Sequence, residues 1–415
     1  MALAARSLSR GNGPLRAVAF LGCCVAAAAL ASGQDAPLTF QSTLELAVAN
    51  NLDLAAARRG RAVREAELQA AGQHPNPDVT FESTKDTPHQ TLLLGIPFEP
   101  WKRSHRMDVA REQLKLADIE DASALQRLRR EVRMAFYGLL GADEAATLAG
   151  SMVEVASRVH EVAQARFEEG AAPRLDVMQA ELGLRRARTD LELARSARAS
   201  AQAELNALLN RKATDPLAVK GDIADGAVLP SVDQVTAAAA AGNAELRTAE
   251  AEVAIEDRRL GLLKAERIPT PTFSVGAVFD APGEFDVGYH AGVSLALPLF
   301  DRNQGQIAGS LVRGEQARLR RDALRRSVEA KAFAAHARAV AQRAQVAAYR
   351  ETLVPTATTI ESLAEEGYRL GRSPVLAVLD AQRTLRDAKS EYLGALLSFQ
   401  SALADLEDVL GGPIQ

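Results

Sequence analysis

Six histidines are the first residues of this 415-residue chain that suggest chemistry, because imidazole is the commonest side-chain ligand of transition metals. A helical metal site needs two histidines three or four positions apart, and structural zinc sites usually add cysteines. No two histidines have that spacing, and Cys23 and Cys24 both lie in an apolar N-terminal run. The sequence therefore predicts no dedicated metal site. The histidines are His74, His89, His105, His160, His290 and His336.

Motifs that carry catalysis are also missing from the sequence. There is no Gly-x-Ser-x-Gly, no phosphate-binding glycine loop, no His-Glu-x-x-His and no convincing pair of carboxylates. The formal net charge of −4 becomes −7 when the three arginines of residues 1–33 are removed, which gives no support to nucleic-acid binding. We therefore expect a protein that is not an enzyme and needs no cofactor.

Residues 1–33 have the pattern of a secretory signal peptide. Three arginines precede an apolar run at residues 17–30, and small residues follow. We expect cleavage near Ala31 or Gly33, which would leave a mature chain without cysteine. The alternative is acylation of Cys23, since Phe20-Leu21-Gly22-Cys23 resembles a lipoprotein processing site.

Two Gly-x-x-Pro segments organise the rest of the chain. Gly170 and Pro173 map onto Gly371 and Pro374 after a shift of 201 positions, and Phe167 maps onto Tyr368. Glycine typically ends a helix and proline typically begins the next one. The sequence thus predicts the same helical reversal twice, in two repeats that cover residues 34–230 and 231–415.

Long helices are expected on either side of these turns. The composition is rich in alanine, leucine, arginine and glutamate, and only 4% of residues are aromatic. No proline occurs between Pro100 and Gly170, so a helix of roughly 70 residues and about 105 Å is predicted there. Such a rod requires a coiled coil or helical barrel. We expect a helix break at Pro355 and a surface connection over residues 211–230. We also expect four arginine pairs to lie on solvated helix faces with acids four residues away. They are Arg129-Arg130, Arg185-Arg186, Arg320-Arg321 and Arg325-Arg326.

Each repeat also contains a predicted β-hairpin, at about residues 77–99 and 271–299. Apolar residues alternate with polar or small ones, which gives one apolar face. Four strands cannot close a barrel, and an open edge in lipid would leave backbone groups unpaired. Three chains together would supply about twelve strands around a water-filled lumen. The pattern therefore favours an export duct to which several chains contribute their strands.

The order of helix, hairpin, long helix, Gly-x-x-Pro turn and helix, repeated once, resembles the TolC-type outer membrane efflux family over about Leu38–Gly411. The motifs that carry the resemblance are Gly367-Tyr368, Gly371, residues 378–382 and the copy around residues 170–180. Two further stretches, at residues 97–103 and 297–305, resemble the outer membrane subunit of heavy-metal (cobalt–zinc–cadmium type) efflux systems of the RND class.

This resemblance implies a mainly α-helical fold with a small β part. A homotrimer would form a 12-strand β-barrel in outer membrane lipid, continuous with a periplasmic α-barrel. It would dock onto a periplasmic adaptor (membrane fusion) protein and an inner-membrane RND pump, as a passive exit duct for heavy-metal cations. The alternatives are an outlet for multidrug efflux or type I secretion and, more distantly, an exported coiled-coil scaffold that is not a channel.

The resemblance also implies roles for particular residues. The two turns would form a periplasmic gate, in which Asp176 matches an acid and Tyr368 a tyrosine; the family's arginine falls at Ser373, so Arg372 is the nearest candidate. The alternative without a gating role is an exposed turn with solvated charges. The full gate set is Asp176, Tyr368, Arg372, Gly170, Pro173, Gly371 and Pro374. Phe98, Trp101 and Phe300 are the predicted membrane-interface residues, although a buried helix start would also explain Phe98 and Trp101.

Overall fold

The computed structural model describes residues 37–224, 228–283 and 285–414. The predicted signal peptide, residues 1–33, and Cys23 within it therefore lie outside the described residues.

Each repeat contributes helices and one hairpin in the same order. The first repeat contains α1 (Phe40–Asn50), α2 (Leu52–Ala71), β1 (Asp78–Ser83), β2 (Gln90–Pro97), α3 (Pro100–Glu168) and α4 (Arg174–Leu208). The second contains α5 (Val232–Gly242), α6 (Ala244–Glu266), β3 (Pro271–Ala281), β4 (Phe285–Leu295), α7 (Gln304–Ala348), a π-helical turn (Tyr349–Leu353), α8 (Val354–Arg369) and α9 (Val375–Leu410).

Helix α3 is a single rod of 69 residues, as the proline-free stretch predicts. Pro100 lies in its first turn, where the missing N–H group would have no helical partner in any case. The rod packs along α2, α4, α6 and α9, so it lies within a bundle and does not stand alone. At 1.5 Å per residue it spans about 104 Å.

The predicted break at Pro355 does not occur. The π-helical turn Tyr349–Leu353 joins α7 directly to α8, and the N–H of Val354 donates to the carbonyl of Tyr349, five residues back. Proline cannot donate and crowds the carbonyl four residues before it. The wider turn before Pro355 lets the chain remain helical past the proline, in keeping with the usual occurrence of π-helix as single-turn insertions within α-helices.

Two asparagines divide the first helical segment of each repeat. Asn51 Oδ1 accepts from the Leu54 N–H at 2.9 Å, and Asn243 Oδ1 accepts from the Leu246 N–H at 3.1 Å. Each side chain thus caps the helix that follows it. Their Nδ2 groups donate to the carbonyls of Leu208 at 3.2 Å and Val409 at 3.1 Å, at the ends of α4 and α9.

The connection between the repeats is a largely exposed segment without helix or strand over its described residues, as its composition predicts, but two of its side chains are buried. Leu217 and Ile223 are buried in the main apolar cluster with Phe136 and Phe399. Leu38 joins the same segment through a parallel bridge to Val219. Burial of these apolar side chains attaches the otherwise exposed connection to the helices.

Three arginines of these pairs, Arg129, Arg130 and Arg325, bind an acid on another helix, whereas Arg185 and Arg321 bind one on their own helix. Arg130 binds Asp405 at 2.7 Å, and Arg325 binds Glu250 at 3.3 Å. Arg185 and Glu181 do form the predicted contact four residues apart, at 2.7 Å. Side-by-side packing of long helices brings acids of neighbouring helices within reach, which spacing along one helix could not reveal.

Candidate functional site

The four strands form one antiparallel sheet in the order β1-β2-β3-β4. Its register places the apolar residues of all four strands in common rows, such as Val79–Leu94–Val275–Ala291. The alternate rows, such as Thr80–Leu93–Gly276–His290, carry mainly small or polar residues. Because side chains alternate across a sheet, one face is apolar and the other is mixed.

The apolar face of the sheet is open to its surroundings. Val79 is 68% exposed, Phe81 64% and Val293 64%, which is unusual for neighbouring apolar residues. Among the described residues, β1 pairs only with β2 and β4 only with β3, so each outer strand has one free edge. None of the described helices combines the length and hydropathy needed to cross a membrane.

The predicted interface aromatics lie at one end of this apolar face. Phe98 is 52% exposed and contacts Trp101 and Phe273 edge to face, with ring centroids 6.0 and 6.2 Å apart. Phe300 is 92% exposed and follows β4. Trp101 is partly buried, and its Nε1 has no hydrogen-bond partner among the described residues. The structure therefore joins Phe98 and Trp101 in one cluster and leaves Phe300 outside it.

The two helical reversals have the same backbone geometry. Gly170 and Gly371 have φ angles of 75° and 73°, a left-handed region that favours glycine. The N–H of Gly170 donates to Phe167 and that of Ala171 to Arg166, at 3.0 and 2.7 Å. The second turn repeats both bonds 201 residues later, so each turn is a Schellman motif. Pro173 and Pro374 lie at the N-cap, one residue before the first helical position.

The end of the rods that carries these turns has its own small apolar cluster. Its buried members are Val159, Ala163, Ala180, Tyr368, Val375 and Val378. Tyr368 is only 3% exposed, whereas Phe167, its counterpart in the first repeat, is 40% exposed. The duplicated turns are thus alike in backbone and different in packing.

Arg166 joins the two turns and was not among the predicted gate residues. Its Nη1 donates to the main-chain carbonyl of Tyr368 at 2.6 Å, and its guanidinium carbon lies 4.8 Å from the centre of the tyrosine ring. A cation over an aromatic face is attracted to the ring. The sequence offered one signal, because a basic residue in the last turn of a helix interacts favourably with the helix dipole.

The predicted gate residues are only partly brought together within one chain. Burial raises the pKa of the Tyr368 phenol, the Asp176 carboxylate raises it further, and Arg166 partly offsets both effects. The phenol oxygen is buried without a hydrogen-bond partner among the described residues. Arg372 is exposed and forms no ion pair within the described part of the chain. Asp176 therefore lies near Tyr368, and Arg372 contacts neither residue's charged or polar group.

Metal-binding side chains do not converge anywhere in residues 37–224, 228–283 and 285–414, where no group of three or more His, Cys, Asp or Glu could hold an ion. His89 binds Asp280 at 3.0 Å and thereby joins the two hairpins. His336 contacts the Pro230 carbonyl at 2.9 Å. These two histidines therefore have structural partners.

Comparison with known proteins agrees with this architecture. The outer membrane efflux protein family model matches residues 43–211 and 235–412. A cobalt-zinc-cadmium resistance protein, CzcC of Cupriavidus metallidurans, is 29% identical over 90% of both chains. Crystal structures of CusC superpose with a TM-score of 0.76 at 16% identity, covering 90% of this chain and 92% of CusC. VceC of Vibrio cholerae gives 0.75 at 16% identity, covering 91% and 97%. The chain belongs to the outer membrane efflux protein family.

Proposed function

We propose that three copies of this chain form the outer membrane channel of a tripartite efflux system that exports heavy-metal cations. The observation that carries the proposal is the two-faced sheet with two free edges. The exposed rows around Val79, Phe81 and Val293 suit lipid, and β1 of one copy would pair with β4 of the next. Twelve strands would then close a ring around the small and polar face.

The helical part would continue this ring as a periplasmic duct. Rods of about 100 Å are long enough to carry the lumen far from the membrane. A periplasmic adaptor would dock onto the helices, and an inner-membrane RND pump would supply the energy. The duct itself is passive, so cargo is chosen by the pump. The relative named for cobalt, zinc and cadmium resistance supports metal cations as that cargo.

The two Schellman turns would form the gate at the periplasmic end. Arg166 holds the turn of the second repeat, and Tyr368 and Asp176 lie beside it. Arg372 is exposed at the same end, where it can reach an acid of the neighbouring copy. Gly170, Pro173, Gly371 and Pro374 set the shape of the two turns. The gate therefore combines one contact within each chain with contacts between chains.

Fractionation and planar-bilayer recording test the channel itself. We expect the mature protein in the outer membrane fraction as an oligomer that conducts ions. A water-soluble monomer would instead support an exported scaffold.

To test the cargo, the gene is deleted from its native background and tolerance to cobalt, zinc, cadmium and unrelated drugs is measured. Loss of tolerance to drugs alone would reject the metal assignment and support the multidrug alternative.

A further inference from the structure

A basic cavity lies where the sheet of the second repeat meets its helices. It consists of two adjoining spaces of about 530 and 470 Å³ that share Arg267 and Arg302. Lys264 lines the second space. Lys264 and Arg267 are three residues apart near the end of α6, so their side chains lie on the same helical face. Three cations thus surround one opening.

The cations of this cavity outnumber the acids that are nearest to them in sequence. Lys264, Arg267 and Arg302 are exposed, and none of them forms an ion pair with another described residue. The two acids nearest in sequence interact with Asn303 instead. Its Nδ2 donates to Glu266 at 3.5 Å, and its main-chain N–H donates to Asp301 at 2.9 Å. Three cations against these two carboxylates leave the cavity with a net positive charge that an anion could balance.

Apolar residues border the same cavity on its sheet side. Leu299 is 62% exposed and Phe300 is 92% exposed, and both line the larger space. Leu297 and Leu299 continue the alternation of Val293 and Leu295, which belong to the apolar face of β4. The cations therefore lie directly beyond the end of the surface that we assign to lipid.

The matching corner of the first repeat is built differently. There, Arg103 donates to the Gly72 carbonyl at 2.5 Å, and Arg106 forms an ion pair with Glu99 at 2.5 Å. These arginines are occupied inside the protein. Only the second repeat leaves its cluster of cations open beside exposed leucines and a phenylalanine.

We propose that Lys264, Arg267 and Arg302 bind the headgroup phosphate of an anionic phospholipid at the periplasmic surface of the outer membrane. The acyl chains would lie against Leu297, Leu299 and Phe300. Cations near a charged lipid surface attract it at short range, and an aromatic ring next to them suits the interface. The proposal rests on the proposed membrane placement of the sheet. Phospholipid is favoured over free phosphate because apolar side chains border the cations.

The test uses the purified full-length mature protein in a neutral detergent. Short-chain phosphatidylglycerol, short-chain phosphatidylcholine and inorganic phosphate are titrated separately, and the thermal midpoint of unfolding is followed. Native mass spectrometry counts bound lipid in parallel. The test variant is Lys264→Gln/Arg267→Gln/Arg302→Gln. The control Arg186→Gln/Arg188→Gln/Arg326→Gln removes the same charge from exposed helix positions without ion-pair partners among the described residues.

We expect phosphatidylglycerol to bind the wild type and the control, and to bind the test variant roughly 100-fold more weakly. Phosphatidylcholine should bind both proteins weakly. Equal phosphatidylglycerol binding by the test variant would overturn the site, and equal stabilisation by inorganic phosphate would overturn the lipid assignment. A protein that binds the lipid at these residues but conducts no ions would leave this site intact while rejecting the proposed channel.

Discussion

Arg166 and Gly367 occupy equivalent positions of the two repeats, and a side chain at the second position would crowd Ser373. A Cβ atom at Gly367 would lie 2.9 Å from Ser373 Oγ. The absence of a side chain at Gly367 lets Ser373 approach the second turn closely. Arg166 crosses from the first turn to hold Tyr368, the neighbour of Gly367. The first turn thus supplies the donor, Arg166, and the second turn the acceptor, the Tyr368 carbonyl, of one hydrogen bond.

We predict that Arg166→Gln loosens the proposed gate. The substitution removes a charged hydrogen bond and a cation–aromatic contact, which together contribute about 2 kcal/mol. Single-channel conductance in planar bilayers should rise, and protease cleavage at the turns should become faster. Asp176→Asn should also raise conductance. Arg174→Gln is the control, since Arg174 is exposed at the same end and has no ion-pair partner in the described chain. Conductance as low in Arg166→Gln as in that control would contradict the assignment.

We expect alanine to be costly at the two turn glycines. Gly170→Ala and Gly371→Ala place a Cβ in the left-handed region, which destabilises each turn by about 1 kcal/mol. Gly394→Ala is the matched control, because Gly394 lies within α9 and nothing is within 4 Å of its Cβ position. That change should stabilise by about 0.5–1 kcal/mol. Chemical denaturation followed by circular dichroism measures all three; a stabilised Gly371→Ala protein would refute the strain argument.

Asn51 and Asn243 should each contribute to the free energy of unfolding in two separable ways. Asn51→Ala removes both the helix cap and the hydrogen bond to Leu208, at a cost of about 2 kcal/mol. Asn51→Ser retains a capping oxygen and should cost about half as much. The same difference is expected at Asn243. Thr39→Ala removes an exposed cap alone and should cost about 1 kcal/mol. Free energies of unfolding provide the measurement: equal losses for Ala and Ser would exclude a contribution from the cap, and a Ser variant as stable as the wild type would exclude one from the contact with Leu208.

Glu361 should make stability depend on pH. Burial raises its pKa above the usual 4.5, Glu365 raises it further, and Arg158 and Lys389 act in the opposite direction. An acid with a raised folded-state pKa binds its proton more tightly when folded. Stability from this group is therefore fully present below the unfolded value and is lost as pH rises through the folded value.

Glu361→Gln should consequently be more stable than the wild type at pH 7, and the difference should disappear near pH 4. Denaturation curves across this range provide the measurement. Glu144→Gln serves as control, since Glu144 is exposed on α3 and forms no ion pair with a described residue. A pH-independent difference would show that burial of the charge is not the cause.

Local sequence patterns determined much of the secondary structure of this protein. The proline-free stretch predicted the rod of α3, strict alternation predicted both hairpins, and the Gly-x-x-Pro copies predicted both reversals. These features depend on neighbours in sequence: helix periodicity, strand alternation and the conformational preferences of glycine and proline. The break expected at Pro355 was wrong because a π-helical turn accommodates the proline. The local sequence pattern did not predict that turn.

Only the tertiary structure decided which distant residues meet. Arg166 and Tyr368 are 202 positions apart, and Arg130 meets Asp405 across 275 positions. Such contacts follow from how the rods pack against each other, which periodicity along a single helix does not specify. For the same reason the burial of Leu217 and Ile223, and the cations left open beside Phe300, became visible only in the folded chain.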